Sequence, residues 1–403
     1  MGMYTSGNSG KINKKLTWLF VVYIFLSFFE TYLTRFLGNA TKYYLLLMLG
    51  IFVWQEKFII RINKYSMFFL VWFFYKLFSV FWSGMNNNDF QMHILSQIGI
   101  VLFVVIITGR KIECFFLQTV LQACLGISFL FGILSIIFKA PFRDAVFVAR
   151  QVLTLFGRQN DPNNCAAFLL IGITLGLYGT MIEKKKIVIN SVIVAINVYA
   201  LFLTSSRAGF LTFGIIVVTL SILPQSGKDI SLKQLLQRLI FILVLGYIMV
   251  YIIRQYLPQA NIDRLFIFSG YEGGSGRDIR WVRAIDLFRE KPIFGWGWGG
   301  YSTGVGAIHN TFLTSLCDVG LIGTAFLTIP LLMIGVEAVK KRNLLVIIIL
   351  MAGVIPAFVL DAINKRFFWN AIVISIMLVN YQKNNDEQMT VWENTWEEID
   401  NGK

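Results

Sequence analysis

The sequence predicts an all-α polytopic membrane protein with about 12 transmembrane helices and a large, partly helical extracytoplasmic loop. Three observations predict it. The 403 residues are 56% hydrophobic and only 14% charged, which leaves too little polar surface for a water-soluble protein of this length. The apolar runs reach roughly 18–24 residues, the length needed to cross a ~30 Å hydrocarbon core. The runs are apolar on all sides, whereas a transmembrane barrel would alternate in shorter segments. The whole of 1–403 reads as a single integral membrane domain.

Lys11, Lys14 and Lys15 precede the first run, and no small-residue cleavage site follows it, so it reads as a retained span rather than a signal peptide. Twelve candidate spans lie near 16–34, 38–55, 66–83, 92–108, 115–138, 164–182, 187–204, 208–223, 239–257, 311–339, 344–361 and 366–382. The tenth is long and is expected to tilt or break near Pro330. Cys114, Cys124, Cys165 and Cys317 lie in or beside apolar runs without metal-type spacing and read as small buried residues.

Charge orients the spans. With a cytoplasmic N-terminus, the inner segments hold Lys57, Arg61 and Lys64; Arg110 and Lys111; Lys184, Lys185 and Lys186; Lys228, Lys233 and Arg238; and Lys340, Lys341 and Arg342. The outer segment "GMNNNDFQ" at 84–91 holds none, as the positive-inside rule requires. Both termini are then cytoplasmic, the acidic tail included. The type of cation also differs between the faces: 15 of the 20 lysines fall inside and 12 of the 16 arginines outside. Arginine's planar fork suits phosphate, so a phosphate-bearing ligand is expected on the outer face. Headgroup contact by arginines near helix ends is the ordinary alternative.

Two outer loops are long, 139–163 and 258–310. Inside the second, "SGRDIRWVRAIDLFREKPIFGWGWGGY" reads as an amphipathic helix followed by a turn-rich stretch. Ile279, Val282, Ile285, Leu287 and Phe288 fall mostly on one face. Pro292 and glycines 295, 297, 299 and 300 end the helix. It is expected to lie on the membrane surface or cap the bundle.

Four outer clusters carry chemistry. In "LTSSRAGF", a very short connection pins Arg207 at the interface, where it either binds an anion or snorkels to headgroups. In "GGSGRDIRW", Arg277 opens the external helix, whose backbone amides favour an anion, and Arg280 follows one turn later. In "GAIHNTF", His309 sits at the outer end of a span with Asn310 beside it; a neutral-range pKa suits histidine for general-base work, though a lone histidine is usually structural. Asp318 follows more than two turns later, too far along one helix to touch His309, and is expected to meet another helix or cap a polar cavity. In "GRQNDPNNCAAF", Asp161, Pro162 and Asn163 form a turn, Asn164 can cap the next span, and Arg158 offers a contact to glycan or phosphate. His93, the other of the two histidines, is the rival base and lacks a surrounding motif.

"SSRAG", "SGRDIRW", "KPIFGWGWGGY" and "HNTFLTSLCDVGLIG", in this order and separation, resemble the O-antigen ligase and Wzy-type O-antigen, capsular or exopolysaccharide polymerase superfamily. The resemblance covers roughly 150–330, with Asp318 standing where the family commonly has Glu. It implies a bacterial cytoplasmic-membrane glycosyltransferase that acts on the outer face by inverting, metal-independent transfer, without a cofactor. The donor would be a glycan on undecaprenyl diphosphate and the acceptor another glycan, with the bilayer as environment and a chain-length regulator and a flippase as possible partners; no nucleic acid is expected. Arg207, Arg277 and Arg280 would bind the diphosphate and His309 would activate the acceptor, supported by Asn310, Asp318, Arg158 and Asn163. Polymerisation of repeat units leads, and ligation of a finished glycan to lipid or protein shares the same motifs. From another class, a lipid-linked oligosaccharide flippase or transporter would use Lys76, inside a span, to line a polar cavity. No matching halves support that reading.

Overall fold

The computed structural model describes residues 14–84, 87–142, 150–224, 231–256, 277–301 and 306–384. Lys11, the "GGSG" turn before Arg277 and the acidic tail lie outside these residues, as does the His93 side chain.

Every expected span coincides with a helix. In chain order these are α1 (Lys14–Leu37), α2 (Ala40–Gln55), α3 (Lys64–Phe78), α4 (Asn87–Thr108), α5 (Cys114–Ile137), α6 (Pro162–Tyr178), α7 (Ile187–Thr204), α8 (Arg207–Ile222) and α9 (Leu232–Tyr256). The external helix α10 (Arg277–Glu290) precedes α11 (Thr311–Lys340), α12 (Leu344–Ala357) and α13 (Arg366–Asn384). Among the described residues, six helical segments, those starting at Lys14, Lys64, Cys114, Pro162, Ile187 and Thr311, are long and apolar enough to cross a membrane; the described parts of α4, α8 and α12 are apolar but shorter. The chain is a multi-pass membrane protein on this evidence, while a count of twelve crossings goes beyond it.

Burial follows from composition. All of α6 is buried, and it carries apolar or small residues around its whole circumference, the pattern of a helix enclosed by others. It packs against α5, α7, α8 and α12. Most of α13 is buried as well, and Trp369 packs its ring against Phe69 and Trp72 of α3. On the periphery, Trp54, Phe81, Leu211 and Leu332 are exposed on the bare protein, as lipid-facing residues are.

Alternate connections gather at opposite ends. At one end Asn63 caps α3 and donates its amide to the Thr108 carbonyl at 2.9 Å, while Lys64 pairs with Glu337 at 2.6 Å and Asn343 donates to Gln382 at 2.8 Å. At the other end Arg35 donates to the Phe156 carbonyl at 2.7 Å, and Thr311 donates to the Leu360 carbonyl at 2.6 Å. This second end carries short strands that no periodicity announced: β1 (Lys139–Pro141), β2 (Gln151–Leu155) and β3 (Arg158–Gln159), an antiparallel sheet in that order. Lys139 pairs with Leu153 and Leu155 with Arg158.

The long helix α11 breaks at Gly320 and not at the expected Pro330. Gly320 has φ 63° and ψ −164°, a conformation that a side chain would strain, and a Cβ there would lie 2.3 Å from the Ile293 carbonyl oxygen. Segment 292–297 runs alongside the break and satisfies it. Trp296 and Gly297 donate their N–H groups to the Cys317 and Asp318 carbonyls, each at 2.8 Å, and Leu321 donates to the Pro292 carbonyl at 2.8 Å. Irregular backbone at this depth survives because protein, not lipid, takes up its hydrogen bonds. Pro330 forfeits one N–H bond, which a helix can absorb without leaving helical geometry.

Candidate functional site

Four of the helix starts at the second end bear on the site. Asp161 caps α6 by accepting from the N–H groups of Asn163 and Asn164, at 2.8 and 3.2 Å; the cap is therefore Asp161 and not Asn164, since the β-like residue before Pro162 holds the capping geometry. Ser206 caps α8 through Gly209 N–H at 3.2 Å. Asn310 caps α11, accepting from Phe312 and Leu313 at 3.0 and 3.1 Å. The fourth start is Arg277, the first residue of α10.

Arg207 and Arg277 are thus both first residues of helices. A helix start carries positive partial charge, so a cation there sits at the unfavourable end by several tenths of a kcal/mol, about 0.3–1. Arg277 lies within electrostatic reach of Asp161, Arg280, Asp361 and Arg207. Burial pulls its guanidinium below the usual arginine range; Asp161 and Asp361 oppose that shift while Arg280 and Arg207 add to it. Its Nε is buried with no hydrogen-bond partner among the described residues. An orphaned buried donor costs about 1–3 kcal/mol, so this group calls for an acceptor that the described residues do not supply. Three guanidiniums and several helix starts are groups of the kind that could hold an anion.

The scaffold beneath Arg207 is polar and buried. Arg150, which carried no sequence signal, donates its Nε to the Thr204 carbonyl and one terminal nitrogen to Asn163 Oδ1, both at 3.0 Å. The Ser206 hydroxyl donates to the same Asn163 oxygen at 2.9 Å. Asn163 therefore ties the start of α6 to the turn that presents Arg207. At Gly209 a Cβ would lie 2.9 Å from the Ala166 Cβ, so glycine lets α8 close on α6.

The second element is His309, paired with an acid that sequence reading missed. His309 has φ 55°, strained for a non-glycine residue, and Asp361 holds it there. Asp361 Oδ2 accepts from the His309 backbone N–H at 3.2 Å and lies 3.2 Å from Nδ1. Thr314 donates to Oδ1 at 2.9 Å. Thr311 fixes the backbone on both sides of the acid, donating to Leu360 and accepting from Ala362 N–H at 2.7 Å. Burial works to raise the Asp361 carboxyl, but hydrogen bonds from His309 and Thr314 outweigh it and hold the group below the usual carboxylate range. With Nδ1–H directed at a carboxylate, Nε2 is the nitrogen left to accept a proton. About 38% of the His309 side chain is exposed, so reactants can reach it.

Helix α10 docks on the segment that carries His309. Trp281 donates to the Ile308 carbonyl at 3.1 Å and Arg280 to the Ala307 carbonyl at 3.3 Å. The face that packs is Trp281, Ala284 and Leu287, against Ile308 and Cys317. This corrects the expected apolar face: Ile279 and Val282 are each 62% exposed, so the helix caps the bundle on one side and offers apolar residues outward on another.

Asp318 meets another helix, as its depth requires. Oδ2 lies 3.5 Å from Lys76 Nζ and Oδ1 accepts from Gly299 N–H at 2.8 Å. Lys76, considered above as a cavity-lining cation, is buried in this pair with its ammonium 4.8 Å from the Trp298 ring centre. Ser79 accepts from Trp298 N–H at 2.9 Å and Ser83 donates to the Trp298 carbonyl at 2.6 Å. The aspartate and the Gly-Trp motif are therefore two halves of one clasp that joins α3, α11 and the segment leading from α10. Arg158 stands apart: it is exposed in β3, and no contact among the described residues joins it to the cluster.

No curated protein matches the chain. Residues 192–328 are similar to the family model Wzy_C, described as O-Antigen ligase, and the matched segment carries Arg207, Arg277, Arg280, His309, Asn310 and Asp318.

Proposed function

We propose that the protein polymerises undecaprenyl-diphosphate-linked oligosaccharide repeat units into a surface polysaccharide, at the outer face of a bacterial cytoplasmic membrane. The family indicates glycan transfer from a lipid-linked substrate to an acceptor within a membrane. The observation that carries the finer reading is the placement of Arg207, Arg277 and Arg280 in one electrostatic neighbourhood with the His309–Asp361 pair.

In this mechanism the guanidiniums bind the donor diphosphate. His309 Nε2 takes the proton of the acceptor hydroxyl as its oxygen attacks the anomeric carbon. The bond from that carbon to the diphosphate oxygen breaks on the opposite face, which inverts the configuration. The electron pair leaves on the polyprenyl diphosphate, where preorganised arginines stabilise it. Asp361 orients the imidazole and stabilises the imidazolium. No metal ion is required by these steps, and the twelve-span topology with both termini cytoplasmic puts the site outside. Arg158, in the strand beside α6, would touch the glycan away from the reacting bond.

Purified protein in proteoliposomes, given lipid-linked repeat units, tests this reading. Longer lipid-linked glycans are expected, in the presence or absence of chelator. Transfer only to an added non-glycan acceptor would turn the assignment to ligation, and movement of the donor across the bilayer without elongation would turn it to a flippase.

A further inference from the structure

Beside the clasp lies a cavity that the steps above do not use. It measures about 600 Å³ and sits between the end of α3 and the segment that follows α10. On α3 and the 3-10 turn after it (Ser79–Trp82), Tyr75, Phe78 and Trp82 recur at the spacing that puts side chains on one helix face. Phe78 and Trp82 pack edge to face with ring centres 5.8 Å apart, and Tyr75 and Trp82 at 6.4 Å, so this wall is aromatic along its length. Ile293 and Phe294 form the opposite wall. Gly295 seats it: with φ 70°, a Cβ there would lie 2.5 Å from the Gly320 backbone nitrogen, so glycine lets the segment close on the break in α11.

The walls describe the occupant. The cavity has the size of a ligand site, and nearly all of its lining is apolar. It opens sideways, because Phe78, Ile293 and Phe294 are exposed on the bare protein, as is Phe81 in the same turn. From Tyr75 to Trp82 the chain rises roughly 10–12 Å, most of the ~15 Å of hydrocarbon in one leaflet. The one charged lining residue, Lys291, is exposed, holds its ammonium 3.9 Å from the Trp296 ring centre and has no ion pair among the described residues. The Tyr75 hydroxyl and the Trp82 indole N–H are buried without a hydrogen-bond partner among the described residues. An apolar slot along one leaflet, with a cation and unsatisfied donors in its walls, suits a hydrocarbon chain that ends in a phosphate.

Distance decides which lipid. Arg277 opens α10 and Lys291 follows its last residue, so the 14-residue helix, ~20 Å long, separates them. One diphosphate cannot touch both ends. The elongation proposed above joins two lipid-linked glycans, and the one that supplies the attacking hydroxyl keeps its own diphosphate and chain. We propose that this cavity holds the polyprenyl chain of the lipid-linked acceptor, with Lys291 at the acceptor's diphosphate; the inference rests on the elongation reading. Helix α10 crosses the His309 segment where Trp281 meets Ile308, and Lys291 lies ~15 Å further along. An acceptor anchored there reaches His309 with the far end of a repeat unit several sugars long, while its own diphosphate stays clear of Arg207 and Arg277.

Native mass spectrometry of the full-length protein, with undecaprenyl diphosphate as the probe, reads this without turnover. The parent is expected to bind two equivalents. Ile293→Trp, which fills the cavity from an exposed position, is expected to remove one, Arg207→Ala with Arg277→Ala the other, and the three changes together both. Lys291→Glu puts a carboxylate at the mouth and is expected to weaken the second equivalent about tenfold or more, while Lys291→Arg keeps it; this pair carries the test should Ile293→Trp fail to insert. One equivalent in the parent, weakened alike by Ile293→Trp and by the arginine changes, would make the slot a groove for the donor's own chain and overturn the inference. So would a cavity that phosphatidylglycerol, added in equal amount, fills in place of undecaprenyl diphosphate. Elongation in proteoliposomes is scored separately. A parent that elongates while binding one equivalent loses the second site and keeps the proposed function; a parent that binds two and never elongates loses the acceptor role together with that function.

Discussion

Replacing Asp361 with Asn removes the negative charge behind His309 and keeps the shape. In the native pair Oδ2 serves both the backbone N–H and Nδ1 of His309 at 3.2 Å, and Oδ1 serves Thr314. A hydrogen bond to a charged group contributes about 1.5–3 kcal/mol against about 0.5–1.5 for a neutral one, so the change weakens the hold on the imidazolium by ~1 kcal/mol or somewhat more. Both side chains are more than one-third exposed, at 38% and 36%, and solvent screening trims the figure. The lower bound on the loss in kcat is therefore roughly five- to tenfold. If the amide turns its NH₂ toward Nδ1, the imidazole takes the wrong tautomer and Nε2 carries the proton; the loss then climbs toward the ~10⁴ known when a triad acid becomes Asn. The assay is initial rate of glycan elongation by purified protein, with donor binding measured alongside. An Asn variant that works at the parent rate, or whose loss is wholly a loss of donor binding, refutes the pairing as a functional one.

The remaining predictions follow from the same geometry. Arg277→Lys keeps the charge but not the planar fork, and transfer should fall at least tenfold; donor binding is the readout, and unchanged binding with unchanged chain length would remove Arg277 from the diphosphate site. Lys76→Met strands a buried carboxylate and should destabilise the protein by about 3–5 kcal/mol, while Lys76→Met with Asp318→Asn should recover most of that, as read by thermal unfolding in detergent. Gly320→Ala forces a Cβ within 2.3 Å of the Ile293 carbonyl oxygen and should lower the yield of folded protein; normal yield and activity would show that the break is dispensable. The Asp361 carboxyl is held below the usual range, so its contribution to stability is complete above about pH 4 and is lost only as pH falls through its lower folded value; a stability loss between pH 5 and 7 that Asp361→Asn abolishes would contradict this sign.

The helices were legible because each span must be apolar along its full length, and α6 could be read as central from its lack of any polar face. The break in α11 was not, because Pro330 draws attention while Gly320 acts through a conformation that only its contacts reveal. Lys76 and Asp318 each stood out as an isolated intramembrane charge, and opposite signs on two spans were the available signal that they pair. Asp361 gave less: it follows His309 by 52 positions with no motif between them, and its acid in "FVLDAINKRFF" looks like an ordinary span boundary. Arg150 was hidden among other outer-loop arginines, since nothing in the sequence distinguishes a guanidinium tucked under a helix start from one in water. Arg207 and His309 were found because each lies beside a turn or cap signal at the end of a span, and Arg277 because a glycine turn precedes it at the start of the external helix.

The central claim is that His309 removes the acceptor proton in a glycan transfer. It is tested most directly by His309→Ala in proteoliposomes loaded with lipid-linked repeat units, with product length and donor binding measured on the same preparation. The account predicts a protein that inserts and binds donor like the parent, and elongates on the order of 10²–10⁴-fold more slowly. Elongation by His309→Ala at the parent rate would contradict it.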